Sequence, residues 1–292
     1  MSLHERTGTL SLDPLGPSDL VEVFGFLDRE PVINVYLLAL TLRDGLANPR
    51  DEFWGVRRDE HLAGLIHLGG QSGAALPIGE DPGALRMLSE QLVARLQFLP
   101  RRFQVIGPRA ASRAMIEALE QAGSGPRLRR DQIYMGLAPA ELAPCDPLAE
   151  LRRAAPEDAP IVYESGALLR AEELEEDPRD VDAAGYMRRT EEECRDGYTH
   201  VWTDADGLCF RASVSAITPD AAQVSGVYTP RDRRGRGLAR RGLTELCRRL
   251  FERSRNVCLF VNDFNAPAIA LYRRMGFTPL ADWASAFYHR PE

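Results

Sequence analysis

The segment Val224–Arg240 constrains the fold of this chain more than any other stretch. A short apolar strand, Val224–Thr229, runs into a loop rich in arginine and glycine, and an amphipathic helix begins near Leu238. The first turn of a helix presents free N–H groups and partial positive charge, and glycines let a ligand approach the backbone closely. Arginines add charge-assisted hydrogen bonds to phosphate oxygens. The segment therefore predicts a phosphate-binding site, whose loop contains Arg231, Arg233, Arg234, Gly235, Arg236 and Gly237.

Two common phosphate loops do not fit this segment. A P-loop ends in Gly-Lys followed by Ser or Thr, and this loop contains no lysine. The dinucleotide fingerprint needs a third glycine three residues after the second, where this chain has Arg240. The pattern that remains is Arg-x-x-Gly-x-Ala, formed by Arg234, Gly237 and Ala239.

A second motif lies downstream, at Asn265–Phe277. Asn265 is followed seven residues later by Tyr272 and then by Gly276-Phe277. The two motifs in this order, separated by one helix and one strand, resemble the acyl-CoA motifs of the GCN5-related N-acetyltransferases, the GNAT superfamily. The resemblance implies an α/β fold in the C-terminal half, with a central mixed, largely antiparallel sheet flanked by helices.

The resemblance also implies a reaction and a set of site residues. The reaction is transfer of an acetyl or other acyl group from acetyl-CoA, the cosubstrate, to a primary amine of a small molecule or protein. A bulge at Gly226 would splay the strand from its neighbour, and a backbone N–H near Tyr228 would stabilise the developing oxyanion. The acyl-CoA-binding residues implied are Val227, Tyr228, Thr229, Arg234, Gly235, Arg236, Gly237, Leu238, Ala239, Arg240 and Asn265.

Tyr272 would be the catalytic acid, because a phenol with an ordinary pKa of about 10 can still protonate a thiolate. Without the motif, a core aromatic residue on an amphipathic helix would be the simpler interpretation. Asn265 would cap its helix and could also bind the pantetheine arm. Arg233 and Arg240 are candidates for further phosphate contacts, although a surface arginine is the default interpretation of each.

The sequence does not identify a general base. Strand residues 223–228 contain no carboxylate, although many relatives carry a glutamate there. Ser225 could hold a water that relays the proton. Glu172, Glu173 or Glu176 could reach the cleft, but each is better explained as a surface charge. His200, in the middle of a strand, is interpreted as structural. The acidic segment 172–177 is compatible with a cationic acceptor.

Composition narrows the classes of function. A length of 292 residues predicts two domains, and the net charge of −7 argues against a general nucleic-acid binder. Five widely spaced cysteines form no metal-binding pattern, so we expect no metal and buried free thiols. The first ten residues contain no apolar signal region, and no apolar run has the length of a membrane span. We expect a cytoplasmic protein without membrane partners; a homodimer is compatible with the sequence.

The N-terminal half predicts the order of elements of a GNAT domain: strand, two helices, three strands, helix, strand, helix and strand. At the position of the phosphate loop, however, Ile78–Gly83 contains Glu80 and Asp81 and no arginine, and the helix Ala110–Ala122 lacks the Asn-to-Tyr motif. Residues 1–138 are therefore predicted to be a degenerate GNAT-like domain that packs against the second domain and shapes its acceptor cleft. An unrelated α/β domain remains the alternative.

A proline-rich linker at 139–147 separates this domain from the predicted catalytic domain at 148–292. At the start of the C-terminal half the patterns predict a strand at Ala149–Ala154 and two helices from Ile161 through the acidic segment. Asp-Gly at 206–207 predicts a hairpin, and the helix after the phosphate loop is expected to run over Leu238–Arg255.

Three other functions compete with an N-acetyltransferase. A non-catalytic acyl-CoA sensor or partner-binding module would explain the missing strand carboxylate. A degenerate domain joined to an active one also resembles mycothiol synthase, which would change the acceptor to a small aminated thiol precursor but not the reaction. An aminoacyl-tRNA-dependent transferase is disfavoured, because it would not need an intact CoA loop and because the chain is acidic.

Overall fold

The computed structural model of the protein describes residues 8–290, which form twelve strands and eight α-helices. The strands are β1 (Leu10–Leu15), β2 (Asp51–Arg58), β3 (His61–Gly69), β4 (Ala74–Gly79), β5 (Arg102–Pro108), β6 (Leu128–Leu137), β7 (Arg152–Arg153), β8 (Thr199–Asp204), β9 (Gly207–Ile217), β10 (Ala221–Tyr228), β11 (Asn256–Asn262) and β12 (Thr278–His289). The helices are α1 (Leu20–Leu27), α2 (Val35–Asp44), α3 (Pro82–Arg95), α4 (Arg109–Gln121), α5 (Ala159–Leu174), α6 (Pro178–Asp196), α7 (Leu238–Phe251) and α8 (Ala266–Met275).

The chain divides into two compact units that are interleaved in sequence. Unit 1 contains residues 1–134, 262–264 and 280–292, and unit 2 contains residues 135–261 and 265–279. The C-terminal strand β12 therefore belongs largely to unit 1, where it pairs antiparallel with β5 from Trp283–Pro108 to His289–Arg102. The predicted domain limits, 1–138 and 148–292, remain a prediction.

Unit 1 has the predicted order of elements, with helices on both faces of its sheet. Its strands lie in the order β1-β2-β3-β4-β5-β12-β6. Residues of α1 and α2, such as Val23 and Leu38, pack on one face, while residues of α3 and α4, such as Leu88 and Met115, pack on the other. β4 and β5 are parallel and pair only near Ala74 and Ala75, so they diverge towards Gly79.

Unit 2 repeats this plan with strands in the order β7-β8-β9-β10-β11. The β8–β9 hairpin turns at Asp204–Gly207, as Asp-Gly predicts. Helices α5 and α6 cover one face around Val162, Val201 and Tyr228. On the other face α7 lies so close to β9 that a Cβ at Gly242 would come within 2.4 Å of the Phe210 ring.

The predicted fold class, a mixed α/β fold with a mixed, largely antiparallel sheet flanked by helices, is confirmed, whereas several element limits differ from the prediction. The strand predicted at Ala149–Ala154 is reduced to the two residues of β7. Helix α7 ends at Phe251, four residues before Arg255, because the amides of Arg253 and Ser254 already turn back to Leu250. The acidic segment forms no helix of its own: it ends α5 and supplies Asp177, whose carboxylate caps α6 at Arg179 N, 2.9 Å away.

Candidate active site

The loop after β10 leads into α7 through two glycines in left-handed backbone. Gly235 has φ of +77° and Gly237 has φ of +78°, a region that other residues rarely adopt. Gly237 is the N-cap of α7, and the amide of Arg241 donates to its carbonyl at 3.1 Å. Within residues 8–290, the four preceding amides, 237–240, have no hydrogen-bond acceptor. Such free amides, together with the helix dipole, are an arrangement that can bind an anion.

Two arginines of the loop are held by one glutamate at the end of α5. Arg231 Nε donates to Glu172 Oε1 at 2.7 Å, and Arg234 Nη2 donates to Glu172 Oε2 at 3.0 Å. Arg234 Nε also donates to the carbonyl of Thr229, 3.0 Å away, which fixes the side chain beside the end of β10. Burial alone would raise the pKa of the Glu172 carboxyl, but the hydrogen bonds from both arginines outweigh it and lower the pKa.

The other loop arginines have different surroundings. Arg233 is 8% exposed and is not a surface residue: its guanidinium binds Asp204 at 2.9 Å and the carbonyl of Leu208 at 3.2 Å. It ties the loop to the β8–β9 hairpin and is not available for phosphate. Arg240 donates to the carbonyl of Pro144 at 3.0 Å. Arg236 is exposed and has no hydrogen-bond or ion-pair partner among the described residues.

Strand β10 separates from β11 before it reaches the loop. The two strands pair in parallel only from Ala221 to Gln223. The register with β9 then shifts between Ser225 and Tyr228, where Gly226 has φ of +60°, so the predicted bulge is confirmed. The backbone of the last β10 residues is thus beyond the end of its pairing with β11. Tyr228 and Thr229 are buried, and Thr229 Oγ1 has no hydrogen-bond partner in the described chain.

The second motif forms the start and the buried face of α8. Asn265 Oδ1 accepts a hydrogen bond from Ala268 N at 3.2 Å, so the predicted cap is confirmed. Tyr272 is 7% exposed and its ring centroid lies 5.8 Å from that of Phe277. Burial raises the pKa of the phenol, and the nearby negative charge of Glu173 raises it further. Tyr272 is therefore protonated at neutral pH, although it is a weaker acid than a phenol with the ordinary pKa of about 10.

The residues considered as alternative bases, and His200, lie in different environments. Glu172 is committed to the loop arginines, whereas Glu173 is close enough to Tyr272 to act on its pKa. Ser225 lies at the start of the β10 bulge. Burial lowers the pKa of His200 to about 4, and the charges of Arg153 and Arg249 act in the same direction, which agrees with a structural role for this histidine.

One polar residue in this region was not predicted. Arg211 lies in the middle of β9, directly opposite Tyr228, and is 6% exposed. Its Nη1 donates to the carbonyl of Val162 on α5 at 3.1 Å, and its Nη2 donates to Ser213 Oγ at 3.3 Å. The signal in the sequence is a single arginine inside an otherwise uncharged strand, Leu208–Ile217, in which a buried charge is costly.

In unit 1, a carboxylate of the chain occupies the matching helix start. Asp81 caps α3 by accepting from Ala84 N at 2.9 Å, and Arg58 holds the same carboxylate with two hydrogen bonds of 3.0 Å. A cleft of about 1840 Å³ opens here, and its walls include Arg29, Asn34, Arg58, His61, Glu80 and Asp81. These contacts support the prediction that this loop does not bind pyrophosphate.

Comparison with known proteins agrees with the sequence motifs. Residues 167–277 match the family model described as acetyltransferase (GNAT) family. This range contains the loop, the splayed strand and α8. A search of curated protein sequences finds no match. No helix within residues 8–290 is both long and apolar enough to cross a membrane.

Solved structures match nearly the whole chain. A GCN5-related N-acetyltransferase from Sphaerobacter thermophilus has a TM-score of 0.58 and 19% identity, with 99% of this chain and 98% of that chain covered. A tandem GNAT protein from the clavulanic acid biosynthesis pathway has a TM-score of 0.55 and 20% identity, with 97% and 100% covered. A Drosophila protein reaches a TM-score of 0.65 at 15% identity, with 94% and 98% covered. At these identities the likeness concerns the fold, which in both halves is that of a tandem GNAT protein.

Proposed function

Because the C-terminal half of this chain belongs to the GNAT acetyltransferase superfamily, we propose that the protein is an N-acetyltransferase that transfers an acetyl or other acyl group from acetyl-CoA to a primary amine. The observation that carries the proposal is the anion site formed by the free amides 237–240 at the end of a strand that has left its neighbour. A pyrophosphate needs such donors, and a pantetheine arm needs free strand backbone.

The predicted binding residues divide by what they would hold. The pyrophosphate would bind to the amides of Gly237, Leu238, Ala239 and Arg240, with Arg234 and Arg236 as charged partners. The backbone of Val227, Tyr228 and Thr229 would pair with the pantetheine arm, and the Nδ2 group of Asn265 could add a donor because only its Oδ1 is used by the cap.

The residues of this chain would stabilise charge and move protons during the transfer. Acetyl-CoA supplies a thioester whose carbonyl becomes more negative as an amine attacks it. A backbone N–H near Tyr228, at the bulge, would stabilise that charge. Tyr272 would donate its hydroxyl hydrogen to the departing sulfur. Because its pKa is raised, this is a hydrogen bond to a developing thiolate rather than early proton release. Glu173, whose charge acts on Tyr272, would be a candidate to remove a proton from the acceptor.

A second candidate function is a non-catalytic acyl-CoA sensor. It is favoured by the absence of a carboxylate on residues 223–228 and by the burial of Tyr272. Both functions share the acyl-CoA site and differ in whether Tyr272 does chemistry. In either case we propose that unit 1 binds no CoA at Asp81.

Calorimetric titration of acetyl-CoA tests the proposed site. We expect about one site per chain in the wild type and no binding in an Arg234→Glu, Gly237→Glu double variant, which places two carboxylates among the phosphate donors. Arg253→Glu, which changes the charge as Arg234→Glu does but beyond the other end of α7, is the matched control for that substitution and should bind normally. Arg234→Glu alone guards against misfolding at Gly237. Two sites per chain would show that unit 1 also binds CoA, and a wild type that does not bind would refute the proposal.

A further inference from the structure

Arg211 carries a charge that no residue in the described part of the chain neutralises through an ion pair. A guanidinium has five N–H donors, and the structure gives this one two acceptors, the Val162 carbonyl and Ser213 Oγ. Its Nε is buried and has no partner in the described part of the chain. No carboxylate lies within ion-pair distance of it among residues 8–290, whereas almost every buried arginine or lysine in proteins is paired.

The charged and titratable groups around Arg211 confirm this imbalance. From α6, the charge of Glu193 acts on it only at a distance, and Tyr186 and Cys194 are uncharged at neutral pH. Glu193 is linked to it indirectly: Thr199 Oγ1 lies 3.5 Å from Glu193 Oε2 and 2.8 Å from Ser213 Oγ. Burial lowers the pKa of the Arg211 guanidinium, which is the expected response of a cation without a direct counter-ion.

The position of this cation relates it to the reaction proposed above. Arg211 pairs with Tyr228, and its Nη2 lies 3.2 Å from the position that a Cβ on Gly226 would take. The guanidinium is therefore under the β10 bulge, next to the backbone that would hold the thioester carbonyl. Its other side faces α5, where a Cβ on Gly166 would come within 2.6 Å of Nη1 and 2.3 Å of Tyr186 Oη. Because residue 166 is a glycine, there is room beside it for two hydrogen-bond donors, Arg211 Nη1 and Tyr186 Oη.

We propose that Arg211 binds a carboxylate of the acceptor, so that the acceptor class is an amine that also carries a carboxylate, as in an amino acid. This inference rests on the proposed acyl transfer and adds the substrate class. An arginine fork recognises a carboxylate through two parallel hydrogen bonds, and Tyr186 Oη is a further donor near Nη1, on the α5 side of the guanidinium. In an amino acid the amine and the carboxylate are only a few ångströms apart, which matches a cation beside the bulge.

Binding of product analogues tests this assignment without requiring turnover. The probes are N-acetyl derivatives of the proteinogenic amino acids and their C-terminal amides, titrated calorimetrically into the wild-type protein in the presence of saturating coenzyme A. At least one carboxylate should bind about tenfold or more tightly than its amide, since a hydrogen-bonded charge is being replaced by a neutral group. If no carboxylate binds, or if the amides bind equally well, the assignment is wrong.

Variants identify the residue responsible. Arg211→Gln should abolish the preference for the carboxylate, and Arg211→Lys should keep part of it, because lysine keeps the charge and loses the fork. Acetyl-CoA affinity should be unchanged in both, which also shows that they are folded. A carboxylate preference that survives in Arg211→Gln would assign it to another residue and overturn the proposal.

The same samples separate this inference from the function on which it rests. CoA release from acetyl-CoA is measured with each free amino acid and its amide. Acetylation of amines without regard to the carboxylate would leave the N-acetyltransferase standing and refute the role of Arg211. If carboxylates bind through Arg211 but no amine causes CoA release, the role of Arg211 stands and the N-acetyltransferase is refuted.

Discussion

Glu172 places a carboxylate where the phosphates of acyl-CoA are expected to bind. It accepts hydrogen bonds from Arg231 and Arg234, the same arginines that the loop offers to an anion. Pyrophosphate would have to displace this carboxylate or share the arginines with it. Glu172→Gln removes the competing charge and keeps the size of the side chain, so we expect it to tighten acetyl-CoA binding.

The size of the effect follows from the exposure of the pairs. Glu172 is 22% exposed, but its partners are 46% and 74% exposed, so both ion pairs are well screened by solvent. Such pairs contribute roughly 0.2–1 kcal/mol each, and releasing two of them gives about 1 kcal/mol in total. The expected gain is therefore about fivefold in the dissociation constant of acetyl-CoA, and it should shrink as salt increases.

Calorimetry on three proteins makes this prediction specific. The wild type, Glu172→Gln and Glu192→Gln are compared; the last removes an exposed glutamate of α6 and controls for net charge. Acetylated pantetheine, which lacks the pyrophosphate, should bind equally to all three. If Glu172→Gln weakens acetyl-CoA binding, Glu172 contacts the cosubstrate and does not compete with it. An equal gain in Glu192→Gln would show that only net charge matters.

Two further predictions concern Tyr272 and His200. If the protein is an enzyme, Tyr272→Phe should lower kcat, measured as steady-state CoA release, by about 10² or more and leave the acetyl-CoA affinity, measured by calorimetry, the same. A sensor would bind acetyl-CoA and release no CoA with either residue at this position. An unchanged kcat would show that Tyr272 takes no part in the mechanism. His200 has a folded-state pKa of about 4, below its ordinary value of 6.5, so the unfolded chain binds more protons between these values and stability falls as pH falls through that window. The loss in the free energy of unfolding amounts to about 3 kcal/mol. In His200→Gln, which cannot titrate, the free energy of unfolding measured in urea should depend less on pH between pH 7 and about 4. An equal pH dependence in both proteins would contradict the argument.

The two local motifs allowed much of unit 2 to be predicted. Glycines at 235 and 237, the cap at Asn265 and the bulge at Gly226 depend on backbone geometry that only a few residue types provide, so the sequence reveals them. The order of elements in unit 1 followed in the same way from alternating and helical apolar patterns.

The features that escaped prediction depend on contacts between residues far apart in sequence. Helix α6 is mostly polar and kinked at Asp182, so its apolar periodicity is weak. The contact of Glu172 with the loop spans about sixty positions, and no local pattern encodes it. Arg211 could have been noticed as the one charge in its strand. Only the packing of α5 against the strand shows which partners it has.

The pairing of β12 with β5 has a consequence for synthesis on the ribosome. Residues 283–289 are translated after every other strand of unit 1, yet they pair with β5 in its sheet. During translation one edge of β5 therefore keeps its backbone donors unpaired until residues 283–289 have emerged. A nonsense mutation within codons 280–283 would thus damage unit 1, although the acyl-CoA motifs upstream would be intact.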